Sequence, residues 1–513
     1  MKFLLVAVNA KYIHSNLALY DLRAYAREHA KEYADILLQE YTINQPKDAI
    51  LKGIYQQRPE AVFFSCYIWN IAYIREIIND LHKILPELPI YLGGPEVSFD
   101  ATAVLEEYPF LAGVMVGEGE RSFLSILEKF PQLPATRIIQ SEGCMDLNDV
   151  PFPYYDIPME ELEHRIIYYE SSRGCPFSCS YCLSSVDKRL RFRDVELVKK
   201  ELQFFIDHKV PQVKFVDRTF NCKHDHAMAI WKYITEHDQG VTNFHFEIAA
   251  DLLRQEEIAL MKTMRPGLIQ LEIGVQSTNP RTLEAIRRTM DFAQVTDIVK
   301  QIQAGRNIHQ HLDLIAGLPY EDYASFRHSF NEVYALHPDQ LQLGFLKVLK
   351  GSYMYEQAQE YGCIYHSRAP YEVLYTKWLS YGDMTRLKSV DKMVDIYYNS
   401  GQFTQTIPYL ETAFEEPFDL YQALGDFYEA KGYDIISHSR IRRYEILLQF
   451  AADYPALDLD KLKETMTYDL YLRERLKSPP AWAADLSHKV IFDYVNRDPL
   501  THNARVTDIS DTK

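Results

Sequence analysis

The sequence predicts an α/β protein in three parts: a Rossmann-like parallel sheet, a partial (β/α)6 barrel and an all-α C-terminal domain. Short apolar runs alternate with amphipathic helical patterns over roughly the first 130 residues, and the alternation resumes near residue 165. Beyond about residue 365 the helical period continues and the strand-like runs stop. Strands that alternate with helices form parallel sheets covered on both faces.

With 513 residues, the chain is long enough for about three domains. A hydrophobic share of 47% and a charged share of 25% are those of an ordinary globular protein. The 26 Phe, 37 Tyr and 4 Trp supply core material that disordered chains lack. No stretch approaches the roughly 18 apolar residues of a membrane span. The run Phe3–Val8 is shorter than a signal-peptide core and leads into the α/β pattern, so it reads as a buried strand of a cytoplasmic protein. A net charge of −17 gives no general attraction for phosphate backbones or anionic lipids. The expected partner is a small-molecule or peptide substrate, with no membrane role and nucleic acid disfavoured.

The first series places strands at Phe3–Val8, Asp35–Leu38, Ala61–Ser65, Pro89–Leu92 and Gly113–Val116, with helices over 17–32, 46–57, 70–85, 98–107 and 120–129. Such a sheet binds its ligand beyond the carboxyl ends of its strands. The loops there are Asn9–Asn16, Ser65–Asn70, Gly93–Glu96 and Gly117–Glu120, whose small residues let a backbone approach a large ligand closely. This domain covers 1–135. A connection over 136–163, stiffened by Pro151 and Pro153, follows it. The barrel strands are Arg165–Tyr169, Val213–Val216, Phe244–Ala249, Leu268–Ile273, Gln310–Ile315 and Gln340–Phe345, with helices such as Val195–His208 and Gln294–Ala304. These six βα units occupy 164–360 and leave the barrel open at one edge. The last domain, 361–513, is expected to hold helices Tyr371–Tyr381, Lys388–Ser400, Gln402–Phe414, Asp419–Lys431, Ile441–Tyr454 and Leu459–Leu476, no strands, and a loose polar tail after Asp498. These helices are expected to cover the open side of the barrel.

Seven cysteines in so long a chain make no disulfide scaffold. Cys66, Cys144, Cys222 and Cys363 are scattered, whereas Cys175, Cys179 and Cys182 follow directly on the first barrel strand. Their spacing, C-x3-C-x2-C, suits three irons of a [4Fe–4S] cluster and leaves the fourth iron open to a ligand. Zinc is the competing metal, but it takes four ligands, usually from C-x2-C pairs, and the nearest spare ones, His164 and Cys144, lie well upstream. The basic run Lys188, Arg189, Arg191 and Arg193 reads by default as a solvated face, with a carboxylate or phosphate contact as the alternative.

The cysteine motif, with the aromatic Tyr181 before its last cysteine, resembles that of the radical SAM enzymes. The resemblance implies that Cys175, Cys179 and Cys182 hold a cluster whose open iron chelates S-adenosylmethionine. It continues through Phe215–Asn221, Glu272–Ser277 and Asp313–Glu321, over about residues 160–350. Tyr181, Asp217, Glu272, Gln276 and Asp313 are its SAM candidates, joined by Glu247 from its place near the carboxyl end of a barrel strand.

The N-terminal domain resembles the cobalamin-binding domain of the B12-dependent subclass. The resemblance implies cobalamin contacts from Asn9, His14, Ser65, Tyr67, Trp69, Gly93, Gly94, Glu96, Gly117, Glu118 and Gly119. The D-x-H-x-x-G motif that places a histidine under cobalt is missing: Asp80-Leu81-His82-Lys83-Ile84-Leu85 lacks the Gly and lies in a predicted helix. Cobalamin is therefore expected without a protein histidine on its lower face, where Tyr67 or Trp69 could pack. His14 is the one residue that could overturn this. The C-terminal helices resemble a domain of unknown function attached to such enzymes.

The resemblance implies a cobalamin-dependent radical SAM methyltransferase. Such an enzyme cleaves SAM to a 5′-deoxyadenosyl radical with electrons from a donor such as flavodoxin or ferredoxin. The methyl group passes by way of cobalamin to an unactivated carbon of an unknown substrate. A B12-dependent radical cyclase or rearrangement enzyme shares this architecture and stays open. An RNA methylthiotransferase would carry a second cysteine triad in the N-terminal domain and a basic β domain at its end; here Cys66 stands alone there and the end is helical. A non-enzymatic iron–sulfur module would leave the SAM-like motifs unexplained.

Overall fold

The computed structural model describes residues 1–30, 35–132, 134, 136–474 and 478–483. It forms two compact units. The first contains Met1–Ile248, Lys347–Glu360 and Tyr365–Val373, and the second contains Ala249–Leu346, Tyr361–Ile364 and the chain from Leu374 on.

The first unit opens with six parallel strands: β1 (Lys2–Asn9), β2 (Asp35–Thr42), β3 (Ala61–Ser65), β4 (Ile90–Gly93), β5 (Gly113–Val116) and β6 (Ile138–Gln140), in the order β2-β1-β3-β4-β5-β6. β1 is central, and its unbroken apolar run feeds both faces. Phe3, Leu5 and Ala7 join Phe63, Tyr91 and Phe123 on one side. Leu4, Val6 and Val8 join Val62, Phe64, Ile74 and Ile78 on the other. Phe63 stacks on Tyr91 at 4.8 Å and takes Phe123 edge-on at 4.8 Å; such pairs each add about 0.5–1.5 kcal/mol beyond area burial. Helix Ile71–Ile84 covers the sheet because Ile71, Ile74, Ile77, Ile78 and Leu81 recur at helical spacing. The strand order reverses between β1 and β3, so the ligand crevice of such a sheet lies at their carboxyl ends. β6 departs from the expected connection: three residues are too few to show a period, and pairing of Val114 with Ile138 makes them a strand.

The same unit holds β7 (Ile167–Tyr169), β8 (Ser172–Arg173), β9 (Arg191–Phe192), β10 (Gln212–Phe215) and β11 (Asn243–Ile248). β10 lies between β7 and β11, all parallel. β8 and β9 form an unexpected antiparallel pair that closes the loop carrying the three cysteines.

In the second unit, β13 (His309–Ala316) lies between β12 (Ile269–Gln276) and β14 (Gln340–Phe345), again parallel. The helices that follow β14 from Tyr381 on are Tyr381–Val394, a π-helical turn Asp395–Asn399, Thr406–Glu411, Pro417–Lys431, Arg440–Ala451 and Leu459–Arg473. The Asn399 side chain accepts from Leu341 N and donates to Leu341 O, both at 2.9 Å, and so satisfies backbone groups of β14 that an edge strand leaves unpaired.

Three expectations for the C-terminal part are corrected. Residues over Tyr371–Tyr381 do not form a helix. Ile364–Tyr365 and Val373–Tyr375 are short strands instead, because Pro370 lacks a helical donor and Tyr371 sits at φ +57°. The next helix starts at Tyr381 rather than Lys388, where Ser380 and Asp383 exchange capping hydrogen bonds of 3.1 and 3.0 Å. The Gln402–Phe414 helix shrinks to Thr406–Glu411, since the buried Asp469 carboxylate accepts from the amides of Gln405 and Thr406 and holds the preceding turn open. The tail after Asp498 lies outside the described residues. Among the described residues no helix is long and apolar enough to cross a membrane.

Candidate active site

Gly174 begins the cysteine loop at φ +95°, and a Cβ there would stand 2.6 Å from Arg189 O, so only glycine fits. Cys175 N donates to Asp187 O at 3.1 Å, Cys182 N to Cys179 O at 3.2 Å, and Ser185 Oγ to the carbonyls of Cys179 and Cys182 at 2.9 and 2.6 Å. Cys175 and Cys179 are buried and Cys182 is half-buried. Burial pushes the Cys175 thiol up, and the neighbouring Cys182 and Cys179 add to it. Among the described residues no three such side chains close on a single ion. A four-iron cluster is wider than one ion, so its thiolates stand farther apart. An all-thiolate set on a loop fits that cluster better than zinc.

Asp217, just beyond β10, is buried with both oxygens taken. Oδ2 accepts from Ser171 N at 2.9 Å, and Oδ1 accepts from Ser171 Oγ and Ser172 Oγ, each at 2.6 Å. It therefore braces the chain that leads into the cysteine loop. Ser171 Oγ also lies 3.1 Å from His226 Nε2. Neither serine nor His226 was legible as part of the site, because their pairing spans about 50 residues. Tyr181 is half-buried within the loop, and Glu247 on β11 pairs loosely with Lys214 at 4.0 Å.

This network carries a pH signature. Burial, helped by Lys223, lowers His226 from 6.5 to about 4. The unfolded chain then gains a proton that the folded one refuses, so stability falls as pH drops from about 6.5 to about 4, by about 3 kcal/mol. Asp217, raised by burial from 3.8 to about 6, works in the opposite sense: it keeps its proton in the fold and adds stability as pH falls between those values. H226Q should remove only the destabilising half. Its melting temperature is expected to fall less between pH 6.5 and 4 than that of the native chain, and equal slopes would reject the assignment.

At the ends of β1 and β3, Asn9 Nδ2 donates to His14 O and Glu40 Oε1, both at 3.0 Å, and Asn16 Nδ2 donates to Ser65 Oγ at 3.1 Å. Asn70 Nδ2 reaches Val8 O at 3.0 Å and Ser65 O at 2.9 Å, and Trp69 Nε1 reaches Val8 O at 3.3 Å. Asn9 and Ser65 thus set the loops' shape. What the loops present is the Tyr67–Trp69 stack, centroids 4.4 Å apart, with Trp69 43% exposed. His14 is half-buried with Nδ1 2.7 Å from Tyr168 OH, and burial, with Lys11 and Lys214, holds it below the ordinary imidazole range. Gly94, at φ +108°, lets its backbone close on Cys66, whose O would be 2.5 Å from a Cβ. Its neighbour Gly93 is buried at the end of β4, and Glu96 accepts from Tyr371 OH at 2.9 Å. Gly117, at φ +79°, faces open space: a Cβ there would meet no atom within 4 Å. Gly119 packs on Leu22. An aromatic floor with a glycine rim fits a large planar ligand. His82, expected as a surface residue of its helix, is half-buried and stacks on Phe110 at 4.2 Å. The 650 Å³ depression lined by Thr102, Leu105, Glu106, Pro109, Thr136, Arg137 and Ile138 shares no residue with these loops.

The second unit carries Glu272 and Gln276 on β12 and Asp313 on β13, where Gly274 pairs with Asp313. A bulge after Gly274 puts Gln276 at φ +73°, its buried Oε1 without a partner among the described residues. Glu321, unassigned by the sequence, is fully buried. Its Oε1 accepts from Ser277 at 2.6 Å and Ser329 at 3.0 Å, and burial raises it to about 7.

Only the first half of the basic run, Lys188 and Arg189, is a solvated face. Arg193 is buried against Glu201, and Arg191 Nη1 lies 2.5 Å from Glu118 Oε1. Glu118, expected against cobalamin, is an ion-pair partner. Burial pushes it up, but the Met145 amide and the guanidiniums of Arg173 and Arg191 outweigh that and hold it below the usual carboxylate range.

Family models match three stretches of the chain: the B12 binding domain over 4–127, the radical SAM superfamily over 169–333, and a family described as a protein of unknown function (DUF4080) over 359–506. In chain order, a B12-binding domain precedes a radical SAM domain and the DUF4080 segment. It is 25% identical over 343 residues to the cobalamin-dependent radical SAM methyltransferase TokK of Streptomyces tokunonensis, covering 60% of this chain and 49% of TokK. It is 24% identical over 306 residues to the 2-(S-pantetheinyl)-carbapenam-3-carboxylate methyltransferase of Streptantibioticus cattleyicolor, covering 52% of this chain and 44% of that enzyme. The chain thus spans about half the length of these relatives. In fold it resembles the radical SAM methyltransferase TsrM of Kitasatospora setae, solved with cobalamin and a [4Fe-4S] cluster, at a TM-score of 0.57 and 16% identity over 72% of this chain and 76% of TsrM.

Proposed function

We propose that the protein is a cobalamin-dependent radical SAM methyltransferase acting on an unactivated carbon of a small-molecule or peptide substrate. The observation that carries this reading is that one compact unit holds both the cysteine loop and the glycine- and aromatic-lined ends of a B12-type sheet. When bound, cluster and SAM supply a 5′-deoxyadenosyl radical, and cobalamin supplies a carrier for a methyl group. Cys175, Cys179 and Cys182 would hold three irons, and Asp217 with Ser171 and Ser172 keeps the start of their loop fixed. The Tyr67–Trp69 stack would pack beneath the corrin, with no histidine ligand below. Tyr181, Glu247, Glu272, Gln276 and Asp313 remain the groups proposed to bind SAM. A division at 1–135, 136–163, 164–360 and 361–513, a flavodoxin- or ferredoxin-like donor and a cytoplasmic location belong to the same reading.

The test is anaerobic reconstitution of the full chain, counting iron, sulfide and cobalt and analysing SAM products under dithionite. Methyl transfer requires both 5′-deoxyadenosine and S-adenosylhomocysteine. Deoxyadenosine alone would favour a cyclase or rearrangement, and neither product would sink the reading. Glu272→Ala should raise the SAM dissociation constant about tenfold or more, the loss of one charge-assisted hydrogen bond, with iron content unchanged. Unaltered affinity, measured by equilibrium dialysis, would remove Glu272 from the site.

A further inference from the structure

We propose that Arg173 is a positioning residue that joins the cobalamin-side loop to the cluster loop, so that cobalamin and the cluster each stabilise the binding of the other. This rests on the two-cofactor reading above.

Arg173 is the last residue of β8, directly before Gly174 and Cys175. Its guanidinium serves three carboxylates at once. Nη2 lies 2.8 Å from Glu120 Oε1 and 2.7 Å from Glu170 Oε2, Nη1 is 3.2 Å from Glu118 Oε1, and Nε donates to Glu170 Oε1 at 3.0 Å. Glu118 ends the loop after β5, which also contains the open-facing Gly117, and Glu120 lies in the first turn of the helix that follows, Gly119–Lys129. Arg191, register partner of Arg173 across the β8–β9 ladder, meets the same Glu118 oxygen at 2.5 Å. Two arginines of the cysteine hairpin therefore hold one ligand-facing loop of the N-terminal sheet.

The connection has little slack. Glu120 is buried, and Gly174 is pressed against Arg189 O so closely that a Cβ would clash at 2.6 Å. A shift of the Gly117–Glu120 segment as it closes on a ligand moves the carboxylates, and Arg173 carries that shift to the residue before Cys175. Lysine can replace this only in part: its single ammonium keeps the charge but lacks the planar fork that binds several carboxylates together. By linkage, the effect must run equally in both directions.

The test uses the full chain reconstituted with iron and sulfide, with or without hydroxocobalamin, and measures iron extraction by EDTA. In the native chain hydroxocobalamin should slow extraction about fivefold or more, the lower end of measured couplings between sites. In R173M this protection should vanish, while the cluster absorbance before EDTA and hydroxocobalamin retention on gel filtration persist. R173K should restore part of it. E120Q, which removes one carboxylate partner, should weaken the protection and serves if R173M does not fold. Native-like protection in R173M or E120Q would overturn the proposal, as would a native chain that retains both cofactors and shows no protection. A native chain that fails to retain hydroxocobalamin sinks the functional reading, and this inference with it.

Discussion

Alanine at Cys175, Cys179 and Cys182 together is expected to abolish the iron–sulfur absorbance of the reconstituted protein and all reductive cleavage of SAM, with the fold intact. The loop's shape does not depend on its sulfurs. Gly174 against Arg189 O, the Cys175 amide on Asp187 O and the Ser185 hydroxyl on two carbonyls set its path through backbone groups. Circular dichroism of the triple variant should therefore match that of the native chain. Single replacements should lose most of the cluster as well, because the motif has no fourth cysteine. One neighbour makes the single series informative. Cys222 is half-buried, and its amide donates at 3.1 Å to the carbonyl of Thr219, whose Oγ1 lies 4.0 Å from Cys175 Sγ, so it lies near that ligand. If C175A keeps iron, adding C222S should remove it. A full cluster in the triple variant would mean that the cysteine loop is not the cluster site.

The N-terminal sheet was legible because its strands are buried on both faces and read as continuous apolar runs, as in Phe3–Val8 and Ala61–Ser65, whereas the barrel strands show by their alternation, as in Ile269–Gln276. The cysteines were legible because ligand spacing is local. What failed was decided by partners distant in sequence. Ile138–Gln140 is a strand only because β5 lies beside it, and the Thr406 helix starts late because Asp469, more than 60 residues on, takes the amides before it. Asp217 looked like a ligand-binding carboxylate at a strand end, yet Ser171 and Ser172 consume its acceptors. Lys188 and Arg189 are solvated as they looked, but Arg191 and Arg193 find their counter-charges far off in sequence, at Glu118 and Glu201. Charge on a sequence shows that a side chain needs a partner or water, and only the fold says which.

Arg193→Met is expected to destabilise the first unit by about 3–5 kcal/mol, the cost of leaving a buried charge without its counter-ion. Arg193 is 7% exposed and Glu201 3%. Nε of Arg193 donates to both Glu201 oxygens at 3.1 and 2.9 Å, and Nη1 donates to Leu147 O. The hydroxyl of Tyr169 on β7 donates to Glu201 Oε2 at 2.5 Å. One guanidinium thus ties the connection at Leu147, the strand β7 and the helix Val195–Asp207 into a single polar centre. Without it, Tyr169 alone would face a carboxylate shut away from water. Glu201→Gln should cost less, since an amide still accepts from Tyr169 and carries no charge, but it leaves the guanidinium buried and unmatched. The double variant R193M/E201Q removes both charges and should recover more than half of the R193M loss, as buried pairs replaced together often do. Chemical-denaturation midpoints of the three variants decide the matter. If R193M costs no more than an ordinary surface change, about 0.5 kcal/mol, the pair is solvated. If the double variant is no better than R193M alone, the loss comes from packing at Leu147 and not from the stranded charge.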